Sequence, residues 1–166
     1  MALDPLTDIS SVITGHKGGV AFVCITSDNK YVVSGSWDKT VRITRLNTGE
    51  LVRVIQGHTN YVNCVCVTSD NKYVVSGSDD KTVQITCFKT GELVREIKGR
   101  TSWVDCVCVT SDNKYVVSGS WDTTIRITRL DTGELFRVIK VHRTRYIHFL
   151  VCTMDKLQTN PTANEV

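Results

Sequence analysis

The chain has no apolar run close to the roughly 18 residues that a membrane-spanning helix needs, so no span is expected. It also lacks a basic N-terminal region. Met1 to Ile9 carries Asp4 and Asp8 instead, and a secretory signal is not expected. No Asn-x-Ser/Thr acceptor occurs, because Asn160 is followed by Pro161. Strong charge of one sign is missing too: the net charge is +3, too slight for a nucleic-acid footprint, so nucleic acid is not an expected partner. The seven cysteines are an odd number, and six lie in apolar strand-like runs. That usage suits a reducing compartment, the cytoplasm with the nucleus left open, better than a disulfide framework. With 41% hydrophobic and 22% charged residues among 166, the composition is that of one ordinary globular domain.

What the sequence has in abundance is itself. The segment Ser-Asp-Asn-Lys-Tyr-Val-Val-Ser-Gly-Ser stands at Ser27–Ser36, Ser69–Ser78 and Ser111–Ser120, in steps of 42 residues. Over the 32 residues from Ser27 to His58, the second copy differs at 8 positions and the third at 6. Such self-similarity is the mark of a repeat architecture.

Each copy reads as four short strands. The first is Val20–Ile25, with Val62–Val67 and Val104–Val109 as its counterparts, apolar throughout, which predicts cover on both faces. A polar turn follows, as in Ser69-Asp70-Asn71-Lys72, where asparagine tolerates the left-handed backbone of a tight turn. The second strand, Tyr31–Ser34, is expected to stop at Gly35. The third, Thr40–Leu46, alternates Val41 and Ile43 inward against Arg42 and Thr44 outward. Asn47-Thr48-Gly49-Glu50 supplies a hairpin glycine before a fourth strand, Leu51–Ile55. The fold class is therefore all-β, built of four-stranded antiparallel meanders.

Gly15-His16 and Gly57-His58 precede the first strands, Ser34, Ser76 and Ser118 lie on the second, and Asp38, Asp80 and Asp122 follow in the next turn. This order resembles the WD-repeat family over roughly residues 9 to 155. The resemblance implies propeller-type blades at about 19–55, 61–97 and 103–139, with single strands at 9–14 and 146–153 completing a domain over 1–153 and a polar tail over 154–166. It also implies that His, Ser, Asp and Trp bond to one another within each blade: His16, Ser34 and Asp38; His58, Ser76 and Asp80; Ser118 and Asp122; and His142 in the following position. The signature tryptophan is absent, because its position holds Thr44, Thr86 and Thr128. A buried tryptophan removes about 150–250 Å² from water, on the order of 4–6 kcal/mol per blade as an upper bound, and threonine recovers little of it. Arg100 stands where a histidine belongs and is expected to weaken the third set further. Three blades form an open arc, since propellers close with about 4–8. Self-association to close a ring and truncation of a longer array are both open, with truncation favoured by the divergence after Val141.

His16, Ser34 and Asp38 invite comparison with a hydrolase triad, yet the set recurs and no Gly-x-Ser-x-Gly elbow is present, so no enzyme is expected. Cys64-x-Cys66 and Cys106-x-Cys108 lack the knuckle spacing of zinc sites and read as small apolar fillers, so neither a metal nor a cofactor is expected. Cys87, in place of an arginine, is the thiol expected to react. Arg42, Arg45, Arg53, Arg95, Arg126, Arg129 and Arg137 read as a solvated outer rim, with a basic belt for acidic partners, RNA or membrane lipid as the alternative. The positions where copies disagree are the ones to watch: Gly19, Tyr61 and Trp103, and Trp37, Asp79 and Trp121. In WD-repeat proteins both sets lie on the rim that holds partners. Trp37, Tyr61, Asp79, Trp103 and Trp121 are accordingly the expected contacts for other proteins.

Overall fold

The computed structural model describes residues 13–141, and within them the repeats become three four-stranded antiparallel sheets. The first sheet consists of β1 (Val20–Ile25), β2 (Tyr31–Ser36), β3 (Val41–Arg45) and β4 (Leu51–Ile55). The second consists of β5 (Val62–Val67), β6 (Tyr73–Ser78), β7 (Val83–Cys87) and β8 (Leu93–Ile97). The third consists of β9 (Val104–Val109), β10 (Tyr115–Ser120), β11 (Thr124–Arg129) and β12 (Leu135–Lys140). Each sheet keeps its strands in chain order, a meander. The expected strands at 9–14 and 146–153 lie outside the described residues or at their border, as do His142 and the tail.

The turns form for local reasons. Asn29, Asn71 and Asn113 take φ near +55°, and Gly49, Gly91 and Gly133 take φ between 71° and 78° at the third hairpin. A threonine ties off the first turn of each copy: Thr26 Oγ1 donates to Asp28 Oδ1 at 2.6 Å and accepts from the Tyr31 N–H at 3.0 Å. The turn between the second and third strands also needs a left-handed residue, which is Lys39, Lys81 and, unfavourably for a β-branched side chain, Thr123 at φ 64°.

The core lies between sheets. Val33, Val41 and Ile43 of the first sheet meet Val62, Val65 and Val74 of the second. Val75, Val83 and Ile85 meet Val104, Val107 and Val116 one step later. Each fully buried valine contributes roughly 1.5–3 kcal/mol over an exposed one. β5 and β9 are covered as expected, but β1 is not. Val20 and Val23 are 53% and 57% exposed, whereas their counterparts Val62 and Val65 are fully buried. The residue types are alike; the difference is that β5 and β9 have a sheet before them and no described strand lies before β1.

Two further expectations need correction. Gly35 does not end the second strand, because β2 runs on to Ser36. Glycine is required there by the neighbouring sheet: a Cβ on Gly35 would sit 2.9 Å from Val62 Cγ1, and one on Gly77 would sit 2.6 Å from Val104 Cγ1. Thr44, Thr86 and Thr128 do not face outward either, being at most 4% exposed. All four residues from Val83 to Thr86 are buried, because a sheet stacked between two others has no solvent face for alternation to find.

Polar ties join the sheets at the repeat spacing. Ser27 N–H donates to Asn71 Oδ1 at 3.1 Å and Ser27 Oγ to the Ser69 carbonyl at 2.9 Å. Ser69 repeats both bonds with Asn113 and Ser111 at 3.0 and 3.2 Å. Arg53 reaches forward to the carbonyl of Thr90 at 2.7 Å, and Arg95 likewise to that of Asp131 at 2.5 Å.

Candidate functional site

The bonded sets assemble where the resemblance placed them. His16 Nε2 lies 2.8 Å from Ser34 Oγ and its Nδ1 lies 2.8 Å from Asp38 Oδ2. In the second sheet His58 stands 2.9 Å from Ser76 Oγ and 2.7 Å from Asp80 Oδ2. The carboxylates collect further donors. Asp38 accepts from the Lys17 N–H at 2.9 Å and from Thr40 Oγ1 at 2.6 Å, and Thr82 and the Thr59 N–H serve Asp80 in the same way. Burial alone would push the Asp80 carboxyl up, but the bonds from His58 and Thr82 outweigh it and hold the group well below its ordinary value. Asp38 is held low by the same balance. The threonines were not singled out in the sequence, since a residue that recurs in every copy looks like background.

Arg100 takes the histidine's place in the third set. Its guanidinium donates to Ser118 Oγ at 2.6 Å, to Asp122 Oδ1 at 3.2 Å and to Thr124 Oγ1 at 2.7 Å. The fork of N–H groups is wide enough to span both partners that an imidazole would bridge. Arg100 and Asp122 are almost completely enclosed, with side chains 3% and 5% exposed. Burial lowers the arginine's proton affinity, and the Asp122 charge opposes that. The chemical potential of these sets is therefore uneven. Two have a base beside a hydroxyl, one has an arginine that stays protonated, and Ser76 and Ser118 are sealed inside at 3% and 4% exposure.

The expected contact residues come together on one surface. Trp37, Tyr61, Asp79, Trp103 and Trp121 line a single cleft of about 360 Å³. Trp37 and Tyr61 stack with ring centroids 5.9 Å apart and tilted by 31°, and Trp103 meets Trp121 edge to face at 6.1 Å. The four rings are 45% to 54% exposed. The backbone fixes them in place: the N–H groups of Trp37, Asp79 and Trp121 donate to the carbonyls of Gly19, Tyr61 and Trp103 at 2.9, 3.0 and 3.0 Å. Two lining residues escaped the sequence reading, Asn63 and Asp105. The signal was available, because Ala21, Asn63 and Asp105 occupy one repeat position and all differ.

The remaining candidates sort themselves differently. Cys64 and Cys106 are buried and Cys24, Cys66 and Cys108 partly so. Desolvation pushes the Cys64 thiol well up and raises Cys24 to about 12, so neither is thiolate near neutrality. Cys87 moves the other way, lowered by hydrogen bonding to Thr90. Among the described residues no group of three or more His, Cys, Asp or Glu side chains is placed to hold a metal ion. The expected arginine rim is solvated at Arg45, Arg129 and Arg137 and partly buried at Arg42, Arg53, Arg95 and Arg126. Arg53 and Arg95 clamp adjacent sheets, Arg126 donates to the Gly99 carbonyl at 2.8 Å, and Arg45 and Arg129 lie 5.7 and 5.9 Å from the rings of Tyr31 and Tyr115. No helix among the described residues is long and apolar enough to cross a membrane.

The comparisons with known proteins agree with this architecture. The family described as WD domain, G-beta repeat, matches residues 8–44, 49–86 and 91–128, well over half of the chain. Each match ends at Thr44, Thr86 or Thr128, on the third strand of a sheet. The pre-mRNA-splicing factor PRP46 of Yarrowia lipolytica is 48% identical over 44 residues, which are 26% of this chain and 10% of that protein. The small ribosomal subunit protein RACK1 of Caenorhabditis elegans is 49% identical over 41 residues, 25% of this chain and 13% of that protein. Among solved structures, the WD40 repeats of RRP9 superpose with a TM-score of 0.77 at 20% identity, covering 81% of this chain and 42% of that one. The chain thus spans less than half the length of the structure and little more than a tenth of the relatives. With its three sheets, its His-Ser-Asp sets and three successive matches, the chain belongs to the WD domain, G-beta repeat family.

Proposed function

We propose that this chain is a non-catalytic scaffold that holds other proteins at the cleft lined by Trp37, Tyr61, Asp79, Trp103 and Trp121. One observation carries the reading: residues chosen because the copies disagree converge on one exposed aromatic surface. Half-exposed tryptophan and tyrosine provide large rigid contact area with little entropy to lose, which suits interface anchors. The His-Ser-Asp sets act as internal ties. Their serines are enclosed in the second and third sheets, and the third set has no base. The splicing and ribosomal relatives carry names that place them in multi-component assemblies, in line with a scaffold. An odd number of cysteines, most of them in apolar strands, suits a reducing compartment, cytoplasmic or nuclear.

The test is capture of a defined binding protein, selected against the intact chain, by variants Trp37→Ala, Trp103→Ala and Trp121→Ala. Loss of capture with unchanged melting supports the reading; undiminished capture by all three sinks it. A second reading, in which another copy of the chain packs on the first sheet, is favoured by the exposed Val20, Val23 and Ile25. Light scattering across a concentration series tests it, and a monodisperse monomer at all concentrations rules it out.

A further inference from the structure

The cleft has a chemistry more specific than aromatic stickiness. Besides its four rings, its lining holds the carboxylates of Asp79 and Asp105 and the Asn63 amide, and no lysine or arginine among the described residues. Asn63 Nδ2 donates to Asp79 Oδ1 at 2.6 Å and to the Val104 carbonyl at 3.1 Å, a bond that engages one of the two Asp79 oxygens. Asp105 brings a second carboxylate to the same lining. Its volume of about 360 Å³ lies at the small end of the roughly 300–1,000 Å³ usual for ligand sites, room for one side chain and not for a helix.

We propose that this cleft receives a single arginine side chain from an extended segment of a partner protein, its guanidinium stacked on indole and its N–H groups donated to Asp79 and Asp105. The proposal rests on the cleft being the partner site. Flat aromatic walls beside carboxylates match a guanidinium on both counts, since it is planar, stacks on rings and presents a fork of donors. A trimethylammonium would have the rings but no donor for the acids, and a lysine ammonium would have donors but no plane to stack.

The repeat supplies a second, independent observation. Between Thr59–Asp80 and Thr101–Asp122 only four of 22 positions differ, and three of them line the cleft: Tyr61 against Trp103, Asn63 against Asp105, and Asp79 against Trp121. The buried apolar positions of these segments are unchanged, so packing of the core does not require the differences. They give one surface two carboxylates and four rings that no single repeat could provide.

The chain's three tryptophans all line the cleft, so intrinsic fluorescence reports its occupancy without background. The full chain is titrated with a capped peptide Gly-Ser-Gly-Arg-Gly-Ser-Gly and with the same peptide carrying citrulline, lysine or trimethyl-lysine in place of arginine. Citrulline keeps the shape and loses the charge. A saturable emission change is expected for arginine, with binding weaker by about tenfold or more for citrulline, as the loss of a charge-assisted hydrogen bond implies. Asp105→Asn, nearly isosteric, should weaken arginine binding by a similar factor while leaving the melting temperature in place. Equal binding of arginine and citrulline, tighter binding of trimethyl-lysine, no response to any peptide, or indifference to Asp105→Asn overturns the proposal. The scaffold reading fails separately: if the tryptophan variants still lose capture of the selected binder, only the arginine assignment is lost.

Discussion

Replacing Gly77 by alanine tests the contact on which the stacking of sheets depends. Gly77 has no left-handed backbone angle, so alanine fits the local backbone and, by restricting the unfolded chain, would stabilise by about 0.4–1 kcal/mol if space allowed. Space does not allow it. The new Cβ would lie 2.6 Å from Val104 Cγ1, 2.7 Å from Cys64 Sγ and 3.1 Å from Val107 Cγ1. Val104 and Cys64 are buried and Val104 is stiff at χ1, so relief must come from separating the second and third sheets. Overpacking of this kind costs about 1–3 kcal/mol, leaving a net loss on the order of 1–2 kcal/mol. Urea unfolding at 25 °C should show it as a midpoint lowered by roughly 0.5–1 M. Val104→Ala alone should also destabilise, by about 2 kcal/mol through lost burial and a cavity. Together the two changes should cost about 1 kcal/mol less than their sum, because the added methyl enters the space the valine vacates. Strict additivity of the pair, or a neutral Gly77→Ala, would refute the claim that this glycine exists to admit the neighbouring sheet.

Substitutions at three other positions, Arg100, Thr123 and Asp80, test the internal ties and the turns. Arg100→Ala leaves Asp122 enclosed without its partner and should lose about 3–5 kcal/mol, whereas Arg100→His, the residue of the other copies, should stay within about 1 kcal/mol, both read from thermal melts. Thr123→Asn relieves a β-branched residue at φ 64° and should stabilise by about 0.5–1 kcal/mol; a lower melting temperature would contradict the strain. Asp80 binds its proton less tightly in the folded chain than in the unfolded one, despite the upward push of burial. Its contribution is therefore present above roughly pH 4 and lost as pH falls further. Asp80→Asn should flatten the fall of melting temperature with acid, and a fall as steep as in the parent would refute the assignment.

Much of this molecule could be read without coordinates, and the failures share a cause. The limits of the first and fourth strands, the left-handed Asn29 and Gly49 and the partners of His16 and His58 follow from patterns a few residues long or from recurring offsets. The convergence of Trp37, Tyr61, Asp79, Trp103 and Trp121 followed from asking where copies differ. What went unread lies between copies. The need for glycine at position 35 is set by Val62 in the next sheet, and the enclosure of Thr86 by sheets on either side. The work of Arg53 is set by a carbonyl 37 residues ahead. No local periodicity encodes those neighbours. The bonds of Arg100 went unread for another reason: a guanidinium is longer than an imidazole, and its reach to both Ser118 and Asp122 is set by the fold and not by its place in the repeat.

The polar ties between sheets also bear on how such a chain changes length. Ser27 bonds to Ser69 and Asn71, and Ser69 to Ser111 and Asn113. Excising residues 59–100 in one piece would present Ser27 with Ser111 and Asn113, Gly35 with Val104, and Arg53 with the carbonyl of Thr132, each the same residue type as before. Duplicating the piece would do no more harm. Recombination between copies at whole multiples of 42 residues therefore preserves each of these contacts. The cleft has no such tolerance, because Tyr61, Asn63 and Asp79 would leave with the excised copy and no other copy could replace them. The contacts between sheets are indifferent to which copy supplies them; retention of this middle copy is what selection for binding would have to enforce.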